Sequence, residues 1–281
     1  MAEQGSAPVI DAGAVLAWGL PRLRDLPWRN ERDPWRILVA EVMLQQTQVE
    51  RVIPKWLAFL ARFPTPAACA GSPLAEVLLL WQGLGYPRRA RNLWSTAAVV
   101  AEQHDGQLPD DLDELMMLPG IGPYTARAVL AFAFERDVAV VDTNIARILA
   151  RTVGERLTPK RAQQHADAAV PLGDGWAWNQ TLMDLGAALC RPRPQCDVCP
   201  LAAACAWNLA GHPDPDPAMG SAGVSGKQPR FEGSRRQARG KVLASIGAGA
   251  RPLNEFDEEI VSSLVADGLV VVSDGTVSLP A

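Results

Sequence analysis

Over the first 210 residues, apolar positions recur at intervals of three and four, and this spacing predicts helix after helix. Val39, Val42 and Met43 fall on one helical face, and Val49, Val52, Ile53, Trp56, Leu57 and Leu60 on another. The same period predicts helices over 74–80, 88–103, 124–134, 145–152, 161–170 and 178–189, with a shorter one over 113–117. Thr47 followed by Glu50 reads as a capping box that opens the helix containing Pro54, and that proline is expected to kink it. Strict alternation is missing before residue 211, with Val138 to Val141 the one extended exception. The body is therefore expected to be all-α.

From Gly211 the chain turns to Pro, Asp, Gly and Ser, which predicts a flexible linker over 211–229. Order returns in the tail. Short helices are expected over 241–246 and 255–265, and Asp274-Gly275 between the apolar runs 268–273 and 276–279 signals a β-hairpin. Two helices and a hairpin over 230–281 suggest a small α+β, winged-helix-like module, marginal in size for independent stability.

Composition sharpens this picture only in part. With 281 residues, 48% of them hydrophobic and 21% charged, the chain can bury a core of one large or two smaller domains. Its apolar runs are too short to span a bilayer, and the start, Met1 to Gly5, lacks the basic and apolar regions of a secretory signal. The expectation is a cytoplasmic protein. A net charge of −4 does not exclude nucleic acid, because affinity depends on where the cations sit. Seven Lys and Arg lie between Lys227 and Arg251 beside the single acid Glu232, whereas Pro252 to Ala281 carries six acids and no base.

Cys190, Cys196, Cys199 and Cys205 fall within sixteen residues. Four thiols this close read as metal or cluster ligands rather than disulfides. Zinc sites of four cysteines favour two short C-x-x-C pairs, but here Cys196-Asp-Val-Cys199 is flanked by single cysteines at equal spacing. With Pro192, Pro194 and Pro200 tightening the loop, the pattern suits a 4Fe-4S cluster, with zinc and unligated thiols as the alternatives. Cys69 reads as a small buried residue.

Three further features carry candidate chemistry. Leu118-Pro-Gly-Ile-Gly-Pro-Tyr124 stands between two helices, where its glycines can expose backbone N–H groups to a phosphodiester, or simply make a tight turn. Asp142 reads as a helix N-cap, with the helix dipole and N–H donors expected to hold it ionised and fit to stabilise positive charge. Glu41, in the apolar stretch 38–44, either faces solvent or has its pKa raised by desolvation, and the second state suits a general acid.

Together these motifs resemble the helix-hairpin-helix (HhH-GPD, endonuclease III-like) DNA glycosylases, and within them the adenine glycosylase (MutY) branch in its short actinobacterial-type form. The matching stretches are Glu41-Val-Met-Leu-Gln-Gln-Thr47, Trp81-Gln-Gly-Leu-Gly-Tyr86, Leu118 to Thr125, Val141-Asp-Thr-Asn144, Asn179 to Gly186 and the four cysteines. The resemblance implies a glycosylase region over 1–210, with a six-helix subdomain at about 29–135 and a cluster-bearing subdomain from 1–28 with 136–210. It implies a monomer that acts on double-stranded, nucleoid-associated bacterial DNA with A·8-oxoguanine or A·G mispairs. Adenine is then flipped out, Glu41 protonates it at N7, Asp142 stabilises the oxocarbenium-like sugar, and water completes hydrolysis.

Tyr124 and Asn144 match positions that contact the sugar and the catalytic groups. Tyr124 stands where endonuclease III carries its Schiff-base lysine, so a monofunctional enzyme is implied. Gln46 and Tyr86 match residues that enter the duplex, and Trp28, beside Arg29, matches the wall of the adenine pocket. Leu44, Leu118, Gly120, Gly122 and Thr125 fall in the DNA-contacting stretches.

Three features depart from the family pattern. The first cysteine interval is one residue short, Pro87 replaces a frequent second tyrosine, and the tail does not resemble the family's large 8-oxoguanine-reading domain. The basic segment 230–241 is expected either to contact phosphates or to be a solvated stretch. A thymine glycosylase acting on T·G mismatches and a non-catalytic mismatch binder are the rival readings. An electron-transfer cluster protein would have no use for the glycine hairpin.

Overall fold

A computed structural model describes residues 10–222 and 230–281, so the expectations for the N-terminus and for the last part of the linker lie outside the described residues. In chain order the helices are α1 (Ala12–Gly19), α2 (Pro34–Leu44), α3 (Val49–Arg62), α4 (Pro66–Ala70), α5 (Leu74–Trp81), α6 (Arg88–Gln103) and α7 (Leu112–Met117). They continue as α8 (Pro123–Phe132), α9 (Thr143–Val153), α10 (Pro159–Ala169), α11 (Gly175–Ala188), α12 (Ala206–Leu209), α13 (Arg235–Ser245) and α14 (Glu258–Ala266). Strands β1 (Arg251–Pro252), β2 (Val271–Ser273) and β3 (Thr276–Ser278) all lie in the tail. No described helix is long and apolar enough to cross a membrane.

By its internal contacts the chain divides into two units, Met1–Arg29 with Ala126–Lys227, and Asn30–Thr125 with Gln228–Ala281. The core of the first unit gathers Val15, Ile145, Ile148, Leu149, Trp178 and Leu185. Helices α1 and α11 pack at Gly19, where a Cβ would lie 2.8 Å from Thr181 Cβ, so only glycine admits this approach. Residues 211–222 are held to this unit rather than free. Ser221 Oγ accepts from Leu157 N–H at 3.1 Å, Ala222 N–H donates to Leu157 at 2.9 Å, and Asp216 pairs with Arg151 at 2.6 Å. The composition of the segment fits these turns and this ion pair as well as it fits a loose tether.

In the second unit, Phe59 packs edge-on against Phe63 at 5.0 Å and against Trp81 at 6.2 Å between ring centroids. Each fully buried side chain of this size contributes about 1.5–3 kcal/mol. α3 begins with Gln48 as N-cap and no side-chain cap bond, contrary to the capping-box reading. The Thr47 hydroxyl instead donates to the Gln45 and Leu84 carbonyls, at 3.3 and 3.2 Å.

The tail joins the second unit. Asp274 and Gly275 both have positive φ, at 49° and 71°, as a two-residue hairpin turn with native twist requires. β3 is central, pairing antiparallel with β2 and with the short β1. Arg239 ties α13 to α14 through Ser263 and Asp267.

Candidate functional site

Asp33 caps α2 by accepting from the N–H groups of Trp35 and Arg36, and Pro34 takes the first helical position, where its missing N–H is harmless. Every residue from Ile37 to Met43 is buried, so α2 is a core helix and Glu41 has no solvent face to turn to. Glu41 is 6% exposed, and the Tyr124 hydroxyl donates to its Oε2 at 3.0 Å. The inward alternative for Glu41 is therefore the one realised. Next to this pair, Gln45 donates to Thr125 Oγ1 at 3.3 Å, and Leu44 ends the helix partly exposed.

The two turns on either side of α3 and α5 share one device. Gln46 and Tyr86 both adopt left-handed backbone, with φ of 57° and 48°. Such backbone in side-chain-bearing residues persists only where neighbours impose it. Arg89 is one such neighbour. From a buried position it donates to the carbonyls of Val42 and Met43 at 2.5 and 3.0 Å, to those of Leu84 and Gly85 at 3.1 Å each, and to Thr47 Oγ1 at 3.2 Å. Its guanidinium carbon lies 5.4 Å from the Trp81 ring centroid and 5.6 Å from that of Tyr86. Burial lowers its pKa to about 10, which leaves it charged at neutral pH. Sequence reasoning missed Arg89, although Arg88-Arg-Ala-Arg91 directly after the Tyr86-Pro87 turn was the available signal.

The glycine hairpin is fixed by its own packing. Leu118 and Ile121 are buried anchors, and Thr96 Oγ1 donates to the Pro119 carbonyl at 2.8 Å. Gly120 has φ of 76°, and a Cβ there would lie 2.7 Å from Asn92 Cβ. Gly122 faces open space, so a ligand can approach its backbone closely.

In the other unit, Asp142 is the N-cap of α9. Its Oδ1 accepts from Ile145 N–H at 2.7 Å and its Oδ2 from Asn144 Nδ2 at 3.0 Å. The carboxyl keeps some surface exposure but lies deep among protein atoms, and that burial raises its pKa above the ordinary 3.8. The hydrogen bonds from Ile145 and Asn144 and the charge of Arg147 oppose the rise without cancelling it. This corrects the expectation that capping alone would hold the group low.

Asn144 is itself held. Arg147 Nη2 donates to Asn144 Oδ1 at 2.8 Å and to the Gly186 carbonyl at 2.7 Å, while its Nε donates to the Cys190 carbonyl. A Cβ on Gly186 would stand 2.5 Å from Asn144 Cβ, so glycine at this point of α11 makes room for the Asn144 side chain. The extended stretch 138–141 has no strand partner among the described residues. The Asn179 side chain holds it instead, accepting from Val140 N–H at 2.8 Å and donating to the Val138 carbonyl at 2.9 Å.

Trp28 is buried in the short turn Pro27–Asn30. Arg29, its neighbour, is committed to the protein: Nη1 and Nη2 grip both oxygens of buried Asp184 at 2.7 and 2.9 Å. Burial alone would raise Asp184, but the bonds from Arg29 and Arg24 more than offset it and hold the carboxylate below its usual value.

Cys190, Cys196, Cys199 and Cys205 line a single pocket, with Arg151, Leu185 and Trp207 among its other walls. No three His, Cys, Asp or Glu side chains among the described residues are grouped to hold one metal ion. Arg151 is 2% exposed, with Nη1 3.4 Å from Cys190 Sγ and its guanidinium carbon 4.5 Å from the Trp207 ring centroid. Burial raises the Cys199 thiol to about 11 and moves Cys196 and Cys205 the same way. Cys69 is fully buried in the second unit, and its thiol is pushed up to about 12, as befits an inert core residue. Asn144, Arg147 and Arg151 follow one another at helical spacing on α9, a signal that the sequence offered and that was missed.

Comparison with known proteins adds three findings. Residues 39–171 match the family described as HhH-GPD superfamily base excision DNA repair protein. The adenine DNA glycosylase of Mycobacterium tuberculosis is 40% identical over 95% of this chain and 92% of that protein. Among solved structures, a thermostable thymine-DNA glycosylase aligns with a TM-score of 0.68 at 30% identity, over 71% of this chain and 95% of the other. A non-covalent endonuclease III–DNA complex aligns with a TM-score of 0.63 at 25% identity, over 71% and 94%.

Proposed function

Since this chain belongs to the adenine DNA glycosylase (MutY) family within the HhH-GPD superfamily, and is thereby a base-excision-repair glycosylase, we propose that it hydrolyses the N-glycosidic bond of adenine mispaired with 8-oxoguanine or guanine. The observation that carries this reading is the buried Glu41 receiving the Tyr124 hydroxyl. A carboxyl inside an apolar helix can pass a proton without competing water, and a flipped adenine is the partner that needs one.

The mechanism follows the two-carboxylate logic of glycoside cleavage. Adenine leaves the stack and Glu41 delivers a proton to N7, so the C1′–N9 bond breaks with its electron pair going to a neutral base. Asp142 stands to the oxocarbenium-like sugar as an anion in surroundings of low dielectric, where its attraction is stronger than in water. Asn144 and Arg147 orient it. Water adds at C1′, and Glu41 or Asp142 takes its proton. Tyr124 is not an amine, so no Schiff base forms there and the product is an intact abasic site.

DNA binding draws on the hairpin from Leu118 to Gly122, with the open face of Gly122 toward a phosphate, and on Gln46 and Tyr86 at the duplex. Leu44 and Thr125 border the same surface, and Trp28 forms a wall of the base pocket. Arg29 serves by holding that turn through Asp184 rather than by touching DNA. The domain plan is a glycosylase region of two parts, joined to a tail that acts with the part containing Glu41. Its place of action is bacterial nucleoid DNA.

The four cysteines suit a 4Fe-4S cluster better than zinc, because one short Cys196–Cys199 pair is flanked by single cysteines and all four line one pocket. Cys190, Cys196, Cys199 and Cys205 would hold the cluster, which would crosslink the 190–205 loop. Arg147 and Arg151 lie beside that loop, where their charge would offset that of thiolate ligands.

Base release from duplexes carrying A·8-oxoguanine, A·G and T·G, with and without alkali, tests the reading. Adenine release with strand cleavage only after alkali is expected. Thymine release would place the activity with the thymine glycosylases, and strand cleavage without alkali would contradict the assignment of Tyr124.

A further inference from the structure

The turn between α5 and α6 is gripped by the tail of the same unit. Tyr86, at the end of that turn, has left-handed backbone and lies 5.6 Å from the buried Arg89 guanidinium. A second cation reaches it from α13. Arg236 Nη1 donates to the Tyr86 hydroxyl at 2.6 Å, and its guanidinium carbon lies 5.5 Å from the Tyr86 ring centroid and 5.5 Å from that of the exposed Phe231.

Several contacts fix α13 and the residues around it against this turn. Asp267, after α14, forms ion pairs with both Arg88 and Arg239, and its carbonyl accepts from Arg91 Nη1 at 2.9 Å. A Cβ on Gly247 would lie 2.8 Å from Gln82 Nε2, so the tail backbone comes close to the turn there too. Between the two runs a pocket of about 120 Å³, partly open, whose walls include Trp81, Gly85, Pro87, Gly240, Leu243 and Leu279.

We propose that Arg236 is a positioning residue for Tyr86, through which the C-terminal module sets how Tyr86 meets the DNA. This rests on the reading of Tyr86 as a residue that enters the duplex. A side chain that must separate stacked bases gains by being held in its working geometry before binding, because less ordering remains to be done. A charge-assisted bond to the phenol oxygen, with a cation over the ring, does this where a neutral contact would hold more weakly. The basic segment 230–241 then acts at this one residue through the phenol, while Arg230, Arg235 and Arg239 pair with Glu232, Glu259 and Asp267.

The experiment is a double-mutant cycle on the full chain between Arg236→Gln and Tyr86→Phe, the second of which removes only the accepting hydroxyl. Affinity is measured for a duplex with an A·8-oxoguanine pair and for its fully paired counterpart, over a salt series. Arg236→Gln is expected to weaken the mismatched duplex about tenfold, to change the paired duplex little, and to have a much smaller effect in the Tyr86→Phe background, where only the contact with the ring remains. Arg236→Lys, which keeps a donor and a charge, should recover part of the loss. Additive effects would overturn the proposal, as would an equal loss on both duplexes with a salt slope lowered by about one, the signature of a phosphate contact. Partial unfolding of the tail would weaken binding in both backgrounds alike and so would count against it. Binding reads this coupling independently of base release. If adenine is not released but the coupling is present, only the proposed activity fails; if adenine is released without coupling, only the role of Arg236 fails.

Discussion

Asp142 shows how a single residue can satisfy one rule and break another. Its position before α9 was legible, because a carboxylate preceding Thr-Asn-Ile is an N-cap signal and the Ile145 N–H bond realises it. Its pKa was not, because the burial that raises it exists only once the chain is folded. The direction has a consequence for stability. With the folded-state pKa above the unfolded value, the folded protein holds the proton more tightly, so stability falls as pH rises from 3.8 through the folded-state pKa. Once ionised, the group opposes folding. Asp142→Asn keeps an acceptor for Ile145 N–H and removes that charge. It is expected to raise the thermal midpoint at pH 7, with the difference vanishing below pH 3.8, while base release is lost. Melting curves of both proteins across pH check the sign, and a variant less stable at pH 7 would refute it. Glu41 was ambiguous for a related reason. The sequence shows an acid among apolar residues, but only packing on every side of α2 turns it inward.

At the scale of elements, periodicity located the long helices well, because their apolar faces are what packs. The interval 88–103 is realised as α6 residue for residue, and the helices read over 74–80 and 145–152 are α5 and α9 with one to two residues added at their ends. Short elements escaped. β1 is two residues long and contains Pro252, so it carries no alternation to read, and α4 and α12 fall below the length at which a period can be seen. The Thr47 capping box failed because Arg89 and the Leu84 carbonyl compete for the hydroxyl, a long-range contact overriding a local one. The hairpin offers a direct test. Gly120→Ala puts a methyl group on a φ of 76° and against Asn92, a combination expected to cost about 1–3 kcal/mol. Gly122→Ala meets open space and should be nearly neutral for stability, yet it should weaken DNA binding if the hairpin backbone approaches a phosphate. Urea unfolding and duplex binding of the two variants separate these effects.

At the scale of the whole molecule, the clearest sequence signal was the cysteine set, and the structure puts all four residues around one space. What the spacing could not reveal was the charge beside them, since Arg147 and Arg151 lie on α9, some forty residues earlier. Metal analysis of the purified protein is expected to give about four irons and four sulfides per chain, and a single zinc would reverse the assignment. The tail was legible as two helices and a hairpin, but its attachment was not, because Asp267 and Arg236 reach residues 176 and 150 positions away.

The central claim is that buried Glu41 is the proton donor for adenine departure. Single-turnover release of adenine from an A·8-oxoguanine duplex by Glu41→Gln, alongside duplex affinity, tests it most directly. The account predicts a rate lower by a factor of about 10²–10⁴, with affinity retained because glutamine still accepts the Tyr124 hydrogen bond. Adenine release at the unaltered rate would contradict it.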